Sequence, residues 1–372
     1  MKKTNITRIT KQIEKVANEP LEKKKKPIIK TEDLLPSGST LLNLVCSNNP
    51  FGAFLKGKYY YLVGDSASGK TFLSMTCFAE ALRHPIFKEY RLIYDNVEDG
   101  MLIDLEKLFN ADVAEKVEPP GMEDDEPVFS FSIEEFYYHL DDALIKSKEE
   151  ERPFIYVLDS MDGLSSVAEV EKFEEHKTAH LKGTKSPGSY GDGKAKKNSE
   201  GIRKILKGLN STGSILIIIS QTRDNLGFGH EKKTRSGGRA LIFYATTVIW
   251  SSVTGKIKKT IKGKLRHIGN HIKLETKTKN RVTGELHEGA VDIYPSYGID
   301  DTGSCIDYLV DEKWWGQIEK MIDAGGFNVC MSREKLIEHI EENDLYKHLQ
   351  RITGECWKEI RKESALKRKK RY

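Results

Sequence analysis

Eight consecutive residues, Gly64-Asp65-Ser66-Ala67-Ser68-Gly69-Lys70-Thr71, carry the most readable chemistry in this chain. They match G-x-x-x-x-G-K-[ST] without a mismatch, a pattern in which backbone N–H groups of a glycine-bearing loop cradle phosphates. Lys70 is placed to neutralise the β- and γ-phosphates, and the Thr71 hydroxyl to sit on Mg²⁺. The flanks agree with that reading. Tyr59–Val63 is a β-rich apolar run, and Phe72-Leu73, Met75, Phe78-Ala79 and Leu82 recur at helical spacing. A strand feeding a loop that opens a helix, with Phe72 in its first turn, aims the positive helix end at an anion. The expected ligand is ATP with Mg²⁺.

Other residues could complete a hydrolytic site. Phe154–Leu158 is an apolar strand ending in Asp159, and ligands of open α/β sheets lie beyond the carboxyl ends of the strands. Asp159 is therefore expected to hold the metal opposite Lys70 and Thr71. A base for the attacking water is sought after the run Arg91–Tyr94, where Glu98 is the first choice and Asp95 the second. Gln221 ends the run Ile215–Ser220 and can bond a γ-phosphate, which makes it a sensor of hydrolysis.

Two basic, glycine-rich stretches follow elements that leave the nucleotide sheet. One carries Arg223, Phe228, Lys232, Lys233, Arg235, Gly237, Gly238 and Arg239; the other Tyr190, Lys194, Lys196 and Lys197. Cations mixed with aromatics and glycines suit the backbone and bases of single-stranded nucleic acid.

These residues need a scaffold. Short continuous apolar runs at Tyr59–Val63, Arg91–Tyr94, Phe154–Leu158, Ile215–Ile219 and Thr247–Trp250 alternate with helical patterns, one opened by the capping box Ser132-x-x-Glu135. Continuous rather than alternating apolar strands predict a mostly parallel sheet buried on both faces, in an α/β core over residues 36–300. His271–Lys277 reads as a further strand. Ile6, Ile9, Ile13 and Val16 form one stripe on a short N-terminal helix within 1–35, ended by Pro20 and followed by a lysine run. Residues 301–372 change character and read as a small α+β domain with a basic tail.

Composition narrows the class. Among 372 residues, 31% are charged but the formal net charge is only +4, so the chain is not a basic nucleic-acid coat. Five cysteines without a C-x-x-C pair point to a reducing compartment and away from zinc. The N-terminus lacks an apolar signal core and no run is long enough to span a bilayer, so a cytoplasmic protein with no membrane partner is expected.

The order of these motifs resembles the RecA recombinases, more particularly their bacteriophage relatives. Pro36-Ser37-Gly38-Ser39 with Leu42-Asn43 resembles the segment leading into the family's P-loop, and Leu158-Asp159-Ser160 its metal-binding strand end. Ile219-Ser220-Gln221-Thr222-Arg223 and Gly237–Ala245 resemble its second DNA-binding loop and the helix after it. The resemblance covers roughly residues 36–290. It implies an ATP-dependent recombinase that forms a filament on single-stranded DNA and exchanges it with a homologous duplex, with a loading mediator and a single-strand-binding protein as partners. It also implies that Lys279 and Arg281 are cations reaching the neighbouring subunit's γ-phosphate, and that the Ile6–Val16 helix packs on the next subunit. One departure stands out. The family's glutamate usually follows the strand-end Asp by two residues, where this chain has Val97, with Glu98 one further. A ring-shaped helicase and a low-turnover ATP-binding filament or mediator protein share many of these parts.

Overall fold

The structure, a computed structural model, describes residues 29–98, 104–109, 111–182, 193–224, 233–235 and 238–369. The expected N-terminal helix at Ile6–Val16 lies outside them. Each expected apolar run is a strand of one sheet. Its order runs Gly298–Asp300, Glu288–Tyr294, Lys264–Asn280, Thr247–Ile261, Tyr59–Gly64, Ile215–Asp224, Phe154–Asp159, Arg91–Asn96, Val117–Glu118. Pairing is parallel from Thr247–Ile261 through to Val117–Glu118, and antiparallel across the first four strands. Tyr59–Gly64 is buried at every position, as is Phe154–Leu158.

Strand parity sorts the side chains onto two faces. Tyr60, Leu62, Leu92, Tyr94, Ile155 and Val157 pack with the helix Lys70–Arg83. Tyr59, Tyr61, Ile93, Tyr156 and Leu158 pack with the helices Ile133–Glu149 and Gly193–Thr212. At ~1.5–3 kcal/mol for each large apolar side chain taken out of water, these two layers dominate the stability of the core. The Ile133–Glu149 helix opens with the capping box read from sequence, Ser132 and Glu135 each satisfying the other's backbone N–H.

Residues 301–372 gather a third core around Cys305, Leu309, Trp315, Leu336, Leu349 and Ile352. They are nonetheless joined to the sheet layer. Asp301, buried, accepts bonds from the Thr40 amide (2.6 Å), the Thr40 hydroxyl (2.7 Å) and the Tyr346 hydroxyl (2.6 Å). The Trp357 indole donates to Asn48 at 2.9 Å, and its ring belongs to the central core. Residues 31–372 form one compact unit.

The longest strands make an arm. Thr247–Ile261 and Lys264–Asn280 pair as a hairpin that turns at Lys262 and Gly263, both at positive φ. Ser251 stands beside Gly64 at the mouth of the P-loop, so the ten residues on to Ile261 carry the hairpin about 33 Å past it. Among the described residues no helix is long and apolar enough to cross a membrane.

Candidate functional site

The P-loop sits where the central strand ends, as expected. Gly69 holds φ 79° and turns the chain into the helix beginning at Lys70. That positive φ favours a glycine, and a Cβ there would also have to displace the tip of Ile293, whose Cδ1 would lie at 2.3 Å. The loop is braced from the neighbouring strand: the Ser251 hydroxyl donates to the Ser68 carbonyl (2.5 Å) and the Asp65 amide to the Ser251 carbonyl (3.3 Å). Ser66 and Ala67 are exposed at its tip. Lys70 lies folded along the loop, its ammonium on the carbonyls of Gly64 (3.0 Å) and Asp65 (2.7 Å). Burial lowers its pKa, against which the nearby carboxylates of Asp159 and Glu98 favour the charged form.

Two strands away, Asp159 meets the loop. Its Oδ2 accepts the Thr71 hydroxyl at 2.7 Å and the Tyr94 hydroxyl at 2.9 Å. Burial raises the Asp159 pKa, and both hydroxyls oppose that rise. Burial and the Asp159 charge push the Tyr94 phenol far up, which keeps it a donor. A cation, a hydroxyl and a carboxylate thus converge beside a loop at a helix N-terminus. That donor set fits a magnesium-bound triphosphate, with Thr71 and Asp159 as the metal's holders.

The two candidate bases separate cleanly. Asp95 faces the opposite side of the sheet, fully buried. It accepts from the Ser130 amide (2.9 Å), the Ser130 hydroxyl (2.6 Å) and the Tyr156 hydroxyl (2.7 Å). Glu98 lies beyond the strand end, where the Gln221 amide group donates to both of its oxygens (3.0 and 3.2 Å) and the Ser160 hydroxyl donates to one. Glu98 and Gln221 are thereby neighbours, and Gln221 is the direct strand partner of Gly64. Beside them the Thr222 hydroxyl donates to the Asp65 carboxylate. The one-residue displacement of the glutamate does not keep it from Gln221.

Lys279 and Arg281 stand elsewhere. Lys279 pairs with Val248, which pairs with Tyr61, three residues before Gly64 on the central strand. Those three residues put Lys279 about 10 Å short of its own P-loop, and Arg281, whose amide donates to the Thr246 carbonyl, lies two residues farther along the strand. Both cations rest on the end of the helix Arg239–Tyr244. The Lys279 ammonium donates to the carbonyls of Ile242 (3.0 Å) and Phe243, and Arg281 Nη2 donates to that of Phe243 (2.9 Å). Burial and the Arg281 charge bring the Lys279 pKa down to about 8. Between them Asn280 points inward, donating to the carbonyls of Val45 and Cys46.

Comparison with known proteins matches residues 133–300 to the family model of the RecA N-terminal domain. Proteins named RecA are similar over most of the chain. That of Enterococcus faecalis is 28% identical over 82% of this chain and 79% of its own length. That of Lactobacillus johnsonii is 26% identical over 87% and 80%, and that of Cutibacterium acnes 28% over 79% and 76%. The chain is similar to RecA recombinases over most of its length. These matches favour neither the ring helicase nor the mediator, and they carry nothing for the bacteriophage subtype.

The nucleic-acid residues expected from sequence are only partly in view in this RecA-like chain. Tyr190, Phe228, Lys232 and Gly237 lie outside the described residues, and Arg223, Lys233 and Arg235 are described as backbone alone. The strand Lys233–Arg235 turns back antiparallel on Thr222–Asp224. Gly238 and Arg239 open the next helix, and a Cβ at Gly238 would come within 2.9 Å of Ala195 Cβ. The flanks of the two basic stretches therefore touch. Lys196 is exposed there. Lys194 instead donates to the Leu164 carbonyl (2.6 Å) and pairs with Glu169 (3.5 Å), while Lys197 pairs with Glu134 (3.3 Å).

Sequence reasoning missed the arm. Between residues 252 and 274 there is no Asp or Glu, while Lys256, Lys258, Lys259, Lys262, Lys264 and Arg266 crowd its outer half, all exposed. Lys259 faces Arg266 and Lys258 faces His267 across the hairpin. Like charges directly opposite one another destabilise a strand pair, so the arm is set up for a polyanion.

Proposed function

We propose that this chain is a DNA-dependent ATPase that forms a helical filament on single-stranded DNA and pairs that strand with a homologous duplex. The observation that carries the reading is that Lys279 and Arg281 stand three or more residues of strand back from their own P-loop, with both side chains on the end of the helix Arg239–Tyr244. A cationic pair that cannot serve its own phosphates is suited to those of a second copy, and head-to-tail sharing of this kind generates rings or open helices. When bound at Thr71 and Asp159, Mg²⁺ supplies a Lewis acid and charge neutralisation for phosphoryl transfer. The chain's own residues do the rest. Lys70 leaves its loop carbonyls for the phosphates, Glu98 takes the proton of the attacking water, and Gln221 exchanges Glu98 for the γ-phosphate. Thr222 and the stretch behind it follow Gln221, so the nucleotide state biases the DNA-facing segment by its differential affinity for two arrangements. Electron microscopy with ATP and single-stranded DNA is expected to show open helical filaments. Closed hexameric rings that unwind a tailed duplex would replace this reading by the helicase.

The basic arm adds a duplex-contacting surface to this proposal. It leaves the sheet in the same direction as Ile215–Asp224, both being parallel to Tyr59–Gly64, and so shares the side on which the loop after Asp224 begins. With Lys258, Lys259, Lys262 and Lys264 all changed to alanine, the dependence of log K on log salt for duplex binding should flatten by about 3–4, at roughly 0.9 per phosphate contact. Hydrolysis stimulated by single strands should persist. An unchanged slope in a salt titration would remove the arm from the DNA surface.

A further inference from the structure

We propose that Tyr94 is a positioning residue of the metal site, anchoring Asp159 to the sheet independently of the P-loop. The inference rests on the reading of Thr71 and Asp159 as the metal's holders, and deepens it. Tyr94 sits on the strand beside that of Asp159, two residues before Asn96, the strand partner of Asp159. Parity turns its ring into the layer shared with the P-loop helix, where it is 3% exposed, and its hydroxyl reaches Asp159 Oδ2 at 2.9 Å.

Two hydroxyls converge on that one oxygen, the other being Thr71 at 2.7 Å. Among the described residues Oδ1 accepts no hydrogen bond. The two donors are not equivalent. Thr71 belongs to the P-loop helix, and its hydroxyl oxygen would serve the metal while its proton serves Asp159, so that contact moves with the loop. Tyr94 is independent of the loop, because its ring is fixed by core packing and its hydroxyl has no other acceptor within the described residues. The phenol is therefore the contact that ties the carboxylate's rotamer to the sheet and partly replaces the water lost by burial. A buried carboxylate lacking that donor is free to turn from the metal. Tyr94 is thus a device for metal affinity rather than for triphosphate affinity, because Lys70 and the loop amides bind phosphate without it.

The test uses the full chain and a fluorescent ATP analogue, titrated once in EDTA and once across a Mg²⁺ series. Tyr94→Phe keeps the ring and removes only the hydroxyl. It should leave the affinity in EDTA within about twofold and raise the Mg²⁺ concentration that half-saturates nucleotide binding by about tenfold, the weight of one hydrogen bond to a charged group. A purely packing role would leave both curves as they are, and that result overturns the proposal. Asp159→Asn serves as the reference: it should abolish the Mg²⁺ enhancement altogether. If Asp159→Asn keeps the enhancement, the metal reading itself fails, an outcome distinct from failure of Tyr94 alone. Should Tyr94→Phe fold poorly, Tyr94→Ile, a β-branched residue suited to a strand interior, is read by the same ratio of Mg²⁺ to EDTA affinities.

Discussion

Alanine at both Lys279 and Arg281 is expected to lower ATP hydrolysis stimulated by single-stranded DNA by roughly 10³-fold or more, the scale on which a cation delivered in trans acts in phosphoryl transfer. Nucleotide binding by the isolated subunit should be nearly unchanged, because both residues stand back from their own Gly64 and are turned onto the helix Arg239–Tyr244. The decisive form of the experiment mixes two inactive proteins. Lys70→Ala retains good cations and a dead P-loop, and the double alanine variant the reverse. Co-assembled, they create some junctions in which an intact loop faces intact cations, and measurable turnover should return. No recovery on mixing would place the cations in cis and remove the shared pocket. The double variant also strips the carbonyls of Ile242 and Phe243 of their donors. Those carbonyls end a helix of only six residues, so circular dichroism and DNA binding should be recorded alongside.

Glu98→Gln should reduce turnover by about 10²–10³-fold while leaving ATP and DNA binding in place, since the amide keeps the size of the carboxylate and loses its basicity. Asp95→Asn should behave in the opposite way. Asp95 accepts three hydrogen bonds inside the sheet face covered by Ile133–Glu149. An amide there turns one acceptor into a donor facing donors, at a cost of about 1–3 kcal/mol in stability, with the folded fraction still active. Steady-state ATPase and denaturant titration of the pair separate the two roles. A dead Asp95→Asn protein of wild-type stability, beside an active Glu98→Gln, would reverse the assignment.

Much of this was legible in the residues. Five buried strands announced themselves as continuous apolar runs because both of their faces are covered, and the P-loop announced itself because phosphate binding leaves few alternatives to two glycines, a lysine and a hydroxyl. Choosing between Asp95 and Glu98 needed what lies across the strand. The pleat sends Asp95 to Ser130 and Tyr156, residues 35 and 61 positions away that no local pattern links to it. Lys194 and Lys197 read as nucleic-acid contacts because a lysine does not disclose its partner, and folding gives them Glu169 and Glu134. The arm escaped notice because its turn is Lys262-Gly263 rather than Asn-Gly, and because its lysines interrupt the apolar alternation that marks a strand. The absence of any acidic residue over 252–274 was the signal available. Tyr94 lay hidden as one more aromatic in a buried strand.

On the proposed reading, the adjacency of Gly64 and Gln221 across one rung of the sheet sets how far a hydrolysis signal must travel. That rung is about 4.8 Å wide. A message that short needs no rearrangement of the hydrophobic layers on either side, so grip and release of a strand can alternate on a rigid platform. Wear and tear elsewhere in the molecule, including substitutions deep in either layer, should therefore change how long the protein survives far more than how it keeps time.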